Sequence, residues 1–514
     1  MLNIIILIMN KLIISRPSYK ECCLNNETNI IDSQLIIKNK CFHQDILNDD
    51  FSVSSSKRDD FLIGGVIKLR NTYTFGNNDK GIEMFEFIPI NWRYPRFLVP
   101  SNIKKNLIKN KDKVLDQFVV VKYKEWKSKL PIGYIDKHLG NVENLIAQYE
   151  ILFYYYPTMP IVKPKMIEGG LYDYTEPTQI TIEEGYGDEI YSIDPDGCID
   201  IDDAISYDFK NNRIGIHIAD VAEILKEYKH DRYSTVYAPH KNVHMIPDEI
   251  ATEMASLREG KIKNVITCWI DDQYDGVGGY KFETNNIIVK KNLTYDQAEK
   301  LKETNESLKI LYKKSIDLGK KLGIEVIDTH KMVEVYMVLY NKNITELLEN
   351  REKMIFRNQK GFGKAIYEFN RIGHSSLGLT HYTHATSPIR RYVDWMIQKI
   401  FKKQQIEDIN LERINEYERE IKRLSRMWDY LKASREMKSG DVYEIEFREI
   451  QDNRLVFFCG KLNIIIANKI AFEIIDNGMK INGNEYTIGQ KYNRELYLVD
   501  DKKNILFYKI LIQF

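Results

Sequence analysis

The densest chemistry in this 514-residue chain lies in Tyr191-Ser-Ile-Asp194-Pro-Asp196-Gly-Cys-Ile-Asp200-Ile-Asp202-Asp203-Ala204, where five carboxylates fall within ten residues. Like charges at that density repel, and a bound cation is the usual compensation. Oxygen donors without neighbouring imidazole or thiolate pairs favour a hard ion, Mg²⁺ with Mn²⁺ as the other candidate, over zinc. A calcium loop counted from Asp194 needs an oxygen donor at its fifth position and Glu at its twelfth. Those places hold Cys198 and Ile205, which excludes it. An exposed acidic turn fits poorly with the interleaved Ile193, Ile199, Ile201 and Ala204.

Other groupings carry less. His240-x-x-x-His244 and His381-x-x-His384 have zinc-like spacing but no third ligand close in sequence. Gly361-Phe-Gly363 is too isolated for a nucleotide loop, and no Walker-type motif occurs, so no ATP requirement is expected. Between Lys104 and Lys129 nine lysines face three acids, beside Tyr123 and Trp126. Cations interleaved with aromatics suit a single-stranded polyanion, one set neutralising phosphates and the other stacking bases. A solvated charged face is the plainer alternative for the same run.

The elements that must position these groups read as several domains, since 514 residues is three or four times a typical domain. Equal counts of basic and acidic residues, 74 each, remove any global field that would announce a nucleic-acid binder. Six cysteines without a C-x-x-C pair make neither a disulfide scaffold nor a zinc knuckle, and point to a reducing, intracellular compartment. Met1 to Ile14 is apolar but interrupted by Asn3, Asn10 and Lys11. It fits a buried strand or an upstream start codon better than a signal peptide or membrane span, and no membrane association is expected. Residues 61–154 alternate short β-branched runs with turns, as in a small barrel. Strands are expected at 189–193, 204–209 and 213–219. A helix with a Thr294/Gln297 capping box should run to about Leu322, and further helices are expected near 331–349, 391–403 and 411–438. Residues 440–514 return to short strands, at 442–447, 455–458, 462–467 and 504–512.

The acidic stretch resembles the I-D-P-x-x-x-x-D-x-D-D-A pattern of the RNase II/RNase R (RNB) family. Other blocks follow in that family's order: Gly215-Ile-His217-Ile-Ala-Asp220-Val221, then Tyr237-Ala-Pro-His-Lys-Asn-Val-His-Met-Ile-Pro247, Ser256-Leu-Arg-Glu-Gly260 and Leu293-Thr-Tyr-Asp-Gln-Ala298. The last is Tyr382-Thr-His-Ala-Thr-Ser387-Pro388-Ile-Arg390-Arg391-Tyr392-x-Asp394. Upstream, Asn91-Trp-Arg-Tyr-Pro-Arg-Phe-Leu-Val-Pro100, Trp126, Leu130-Pro-x-Gly133 and Leu139-Gly140 resemble the second cold-shock barrel of the eukaryotic, exosome-associated branch. The resemblance implies an α+β multidomain fold, a mixed α/β catalytic domain flanked by small OB-fold β-barrels. Residues 1–58 are then a poorly defined lead-in, 59–160 a cold-shock-like barrel, 165–438 the catalytic domain and 439–514 a C-terminal OB barrel. The lead-in is too short for a further complete barrel and leaves no room for the nuclease domain that precedes the barrels in some relatives.

What the resemblance implies for function is a processive, hydrolytic 3′→5′ exoribonuclease. It would degrade single-stranded RNA to nucleoside 5′-monophosphates with a divalent metal, as a cytoplasmic monomer. Matching positions make Asp194, Asp200, Asp202 and Asp203 the metal-binding carboxylates, and Asp202 and Arg390 the catalytic pair. Tyr237 is expected to stack on the terminal base. Arg390, Lys104, Lys105, Lys122, Lys124 and Trp126 complete the RNA contacts. His217 and Asp220 are expected to be structural. Asp196 falls at a variable position, and Leu424 stands where some bacterial relatives carry a Glu. A catalytically silent RNA-binding protein that kept the fold is the alternative, and a DNA-directed phosphodiesterase a third reading.

Overall fold

A computed structural model of the chain describes residues 10–15, 19–25, 30–70, 75–157, 159, 175–179, 189–226, 232–271, 274, 278–361, 363–451, 454–460, 462–467, 472–500, 506 and 508–513. The chain divides into two compact units, Met1–Ile161 with Ala238–Lys241 and Lys422–Phe514, and Val162–Tyr237 with Asn242–Ile421.

In the first unit, β1 (Ile63–Ile67), β2 (Met84–Pro89), β3 (Phe97–Pro100), β4 (Gln117–Glu125) and β5 (Ile132–Asn141) close into a barrel in the order β1-β2-β3-β5-β4. Neighbours are antiparallel except β3 and β5. Gly65 permits the closure, because a Cβ there would lie 2.4 Å from both the Phe87 ring and the Ile88 carbonyl. Phe61, Ile63, Phe87, Phe97, Val119 and Val121 fill the interior.

The stretch expected to be a poorly defined lead-in has structure of its own. Asn10–Ile14, Cys22–Leu24, Ile46–Leu47 and Val53–Ser55 form a four-stranded sheet beside the helix Ser33–Lys38. Leu12, Ile14, Cys22, Ile36, Cys41 and Leu47 make its core. Phe42, from the same stretch, is fully buried among the barrel's core residues. Strands of two to five residues between polar loops carry too short a period to be read in advance.

The second unit is built on a six-stranded sheet of β6 (Tyr191–Asp194), β7 (Asp203–Asp208), β8 (Arg213–Ala219), β9 (Ile262–Asp271), β10 (Tyr280–Ile288) and β11 (Lys291–Thr294), in the order β10-β9-β8-β7-β6-β11. Only β6 and β11 pair in parallel, with Asp194 opposite Thr294. The helices are α1 (Tyr295–Leu301), α2 (Glu306–Leu322), α3 (Thr329–Leu348), α4 (Tyr392–Phe401) and the start of α5 (Leu411–Glu436), whose residues from Lys422 belong to the first unit. The Thr294/Gln297 capping box forms, but the single helix expected from it is two. Asn305 caps the second by accepting the Leu308 N–H, so the Asn side chain competes with helix continuation. His217 is fully buried between Ser206 (2.8 Å) and Thr267 (2.9 Å), and burial pushes its pKa down to about 3. Asp220 caps Val221–Ile224 and pairs with Lys402 at 2.6 Å.

Within the first unit, the tail forms a five-stranded sheet of Val442–Gln451, Arg454–Cys459, Leu462–Ala467, Lys491–Asp500 and Tyr508–Ile512. A separate three-stranded sheet is made of Glu473–Ile475, Gly478–Ile481 and Asn484–Thr487. Among the described residues these sheets are not closed into a barrel. The last expected strand begins later, at Tyr508, and residues 504, 505 and 507 lie outside the described residues. All six cysteines are free thiols, and among the described residues no helix is long and apolar enough to cross a membrane.

Candidate active site

The acidic residues are delivered at one end of two neighbouring strands inside the sheet. Strand β6 ends on Asp194, the chain turns through residues 195–202, and β7 opens with Asp203. Gly197 takes φ +76° in that turn, a conformation glycine adopts without strain. Asp194, Asp200, Asp202 and Asp203 all line a cavity of about 680 Å³, together with Tyr237, Arg390 and Arg391.

Asp202 is the most enclosed of the four, 3% exposed. Its Oδ1 accepts the Ile389 N–H at 2.8 Å and its Oδ2 accepts Arg390 Nε at 3.2 Å. Burial pushes its carboxyl up to about 8, although Arg390 and the Ile389 N–H pull the other way. Asp194 is raised to about 6, chiefly by burial, and its Oδ2 is buried without a hydrogen-bond partner. Asp203 is also held well above the carboxylate range, by burial and by Asp194 and Asp202. Asp200 accepts the Tyr237 hydroxyl. An orphaned buried oxygen among carboxylates held up by burial is the environment a hard cation relieves, so the donor chemistry fits a divalent ion. Even so, among the described residues no three His, Cys, Asp or Glu side chains are gathered as a ready-made metal cluster.

Arg390 reaches the cavity from the turn before α4. Its Nη2 donates to Ser387 Oγ at 2.8 Å, and its side chain is 43% exposed. Arg391 beside it pairs at 2.7 Å with Asp394, which is fully buried and accepts the Ser387 N–H at 2.8 Å. Tyr237 is 42% exposed, with its hydroxyl committed to Asp200.

Helix α3 supplies a wall that sequence reasoning treated as core. His330, Glu334 and Asn341 line the same cavity. Their spacing, four and then seven residues, puts the three polar groups on one face of the helix, and that was the available signal. Tyr295, at the start of α1, also lines it, 4.8 Å from the His330 ring. Of the discounted histidines, His240 meets Glu150 and His244 meets Asp248, whereas His384 lines this cavity with its Nδ1 bonded to the Tyr367 hydroxyl.

The barrel residues expected to hold RNA divide. Lys105 and Lys124 are exposed, and Lys104 lies over the Phe85 ring at 5.8 Å. Lys122 is bound to Asp136 at 3.0 Å. Trp126 does not present a stacking face. It is 8% exposed in the barrel core, 5.6 Å from the Phe42 ring, because the N-terminal stretch covers it. Leu424 is fully buried, so no acidic group occupies that position.

Residues 186–322 and 360–407 match the RNB domain, and residues 84–156 match the Dis3-like cold-shock domain 2. The chain carries an RNB domain. The matched RNB stretches contain the acidic loop, Tyr237 and Arg390 but leave out the whole of α3. Relatives include the Ribonuclease R of Mycoplasmopsis pulmonis, 24% identical over 84% of this chain and 77% of that protein. The human exosome complex exonuclease RRP44 is 22% identical over 61% of this chain and 44% of that protein. The chain spans about half the length of the curated relatives it matches first. The RNB fold appears again in the structure of Mycoplasma genitalium RNase R in complex with ribose methylated single-stranded RNA. That similarity has a TM-score of 0.72 at 17% identity and covers 98% of this chain and 100% of the other. The fold is also shared with yeast Ssd1, a pseudonuclease, at a TM-score of 0.57 and 14% identity, over 90% of this chain and 71% of that one.

Proposed function

We propose that this chain is a hydrolytic exoribonuclease that degrades single-stranded RNA from its 3′ end to nucleoside 5′-monophosphates, processively and without ATP. The observation that carries it is one cavity holding four carboxylates opposite a half-exposed guanidinium. Asp194, Asp200, Asp202 and Asp203 would hold the divalent cation, Mg²⁺ by the hardness of the donors. Bound there, it supplies a water of lowered pKa and stabilises the leaving 3′-oxygen. Arg390 is placed to grip non-bridging phosphate oxygens, and Asp202 and Ser387 orient it until substrate arrives. Tyr237 offers an exposed ring to the terminal base while Asp200 fixes its hydroxyl. Stacking accepts any base, which suits degradation without sequence preference. The RNA in the Mycoplasma genitalium RNase R structure supports the substrate class.

The second reading is an RNA-binding protein that keeps the fold without hydrolysis. Asp200 and Asp202 are engaged by Tyr237 and Arg390, and among the described residues no three His, Cys, Asp or Glu side chains are grouped tightly enough to hold one ion, which favours it. Purified protein incubated with labelled single-stranded RNA or DNA, in Mg²⁺ or EDTA, separates the two. Shortening of RNA in Mg²⁺ alone is the expected result. Binding without products in either condition supports the silent reading, and equal cleavage of DNA supports a general phosphodiesterase.

A further inference from the structure

The stretch Ser256–Gly260 is a sequence block to which the proposed chemistry gives no part. Ser256 is fully buried. Its hydroxyl donates to the Ile199 carbonyl at 2.9 Å and accepts the Ile201 N–H at 3.1 Å. The Leu257 N–H donates to the Ile201 carbonyl at 3.0 Å. These three bonds bracket Asp200. Lys263 fixes the π-helical turn before Ser256, its ammonium donating to the carbonyls of Glu253 and of Met254 (3.0 Å).

Asn292 on β11 ties the same stretch to the other end of the acidic loop. Its Nδ2 donates to Ser192 Oγ at 2.8 Å and to the Leu257 carbonyl at 2.9 Å, and its Oδ1 accepts the Glu259 N–H at 2.8 Å. The Ser192 hydroxyl in turn hydrogen-bonds the Asp194 carboxyl. Neither Ser256 nor Asn292 lines the cavity.

Five carboxylates within ten residues tend to splay by repulsion. Within the turn, the Cys198 N–H donates to the Pro195 carbonyl, and the weakly donating Cys198 thiol lies 3.9 Å from Asp200 Oδ1. The backbone on either side of Asp200 is held from outside the turn, by Ser256 and Leu257. We propose that Ser256 and Asn292 are positioning residues, which clamp the acidic loop at both ends so that Asp194 and Asp200 stand at the separation the reaction uses. This rests on the nuclease reading for its kinetic consequence, though not for the clamp itself. Removing the Ser256 hydroxyl leaves the buried Ile201 N–H unsatisfied and frees the Ile199 carbonyl, so the loop relaxes.

The test compares Ser256→Ala with Ser315→Ala, a buried serine whose hydroxyl bonds its own helix at Tyr312. Asn292→Asp, nearly isosteric and lacking the amide donors, serves should Ser256→Ala not fold. Hydrogen exchange is expected to accelerate tenfold or more in peptides covering residues 198–203 of the clamp variants, and not in Ser315→Ala. With single-stranded RNA, kcat should fall ten- to a hundredfold with KM within twofold, and the Mg²⁺ concentration giving half-maximal rate should rise several-fold. Parental exchange at 198–203 in a folded variant overturns the clamp, and so does faster exchange with parental kcat. If the parent protein releases no nucleotide, the exchange measurement still decides the clamp and the nuclease reading falls alone.

Discussion

Asp202 meets an N–H on one oxygen and a guanidinium on the other, so its charge can be removed with little change of shape. Asp202→Asn keeps an acceptor at Oδ1 but binds a hard cation far less well. Hydrolysis should fall by about a thousandfold or more, with the gel shift of a single-stranded RNA preserved. Parallel loss of RNA binding and thermal stability would make Asp202 structural instead. Its protonation gives a second test. Folded Asp202 keeps its proton up to about pH 8, whereas an ordinary carboxyl releases it near 3.8. The folded state therefore binds the extra proton across that window and loses stability as pH rises through it. In EDTA, the melting temperature should decline from pH 5 to pH 8, and Mg²⁺ should restore more of it at the upper end. A flat or rising profile would contradict the burial of that carboxyl. These carboxylates were legible in sequence because so dense a run of like charge has few stable explanations other than a cation. The Tyr237–Asp200 bond was not, since 37 residues separate its partners. His330, Glu334 and Asn341 were hidden because other polar residues of their helix, such as Lys331, Lys342 and Glu346, blur the face they share.

At the scale of elements, β8 could be read to the residue because β-branched and apolar positions fill it from Arg213 to Ala219. The break between α1 and α2 escaped because leucines continue at helical spacing across it, while the Asn305 cap that ends the continuity is a local polar contact. The N-terminal sheet escaped for a different reason: its strands are two to five residues long, and its surroundings include a barrel ring far along the chain. Arg58 shows how. Its guanidinium pairs with buried Asp45 at 2.9 Å, donates to the Lys40 carbonyl and lies over the Phe42 and Tyr123 rings at 5.1 and 5.6 Å. Arg58→Ala leaves Asp45 buried without its cation, which costs about 3–5 kcal/mol. Denaturant unfolding should show a loss of that size, with faster proteolysis within residues 30–60. A loss under about 1 kcal/mol would mean that the N-terminal sheet is held by its apolar core alone.

For the whole molecule, the neutral net charge makes local patches the only electrostatic means of collecting RNA. Replacing Lys104, Lys105, Lys109 and Lys111 with Gln should weaken binding of long RNA. It should also reduce the slope of log affinity against log salt by about 2–3, at roughly 0.7 for each phosphate that is no longer neutralised. Turnover of a very short oligonucleotide should hardly change. An unchanged slope would assign those lysines to a solvated face. Trp126 should contribute to barrel stability and not to RNA affinity, since its ring is enclosed. The most direct measurement of the central claim is product analysis with the same single-stranded RNA labelled at one end or the other, in Mg²⁺. Hydrolysis from the 3′ end predicts that the 3′-labelled RNA yields labelled nucleoside 5′-monophosphate at once, while the 5′-labelled RNA passes to a short end product. Labelled mononucleotide appearing first from the 5′ end, or internal fragments from both substrates, would contradict it.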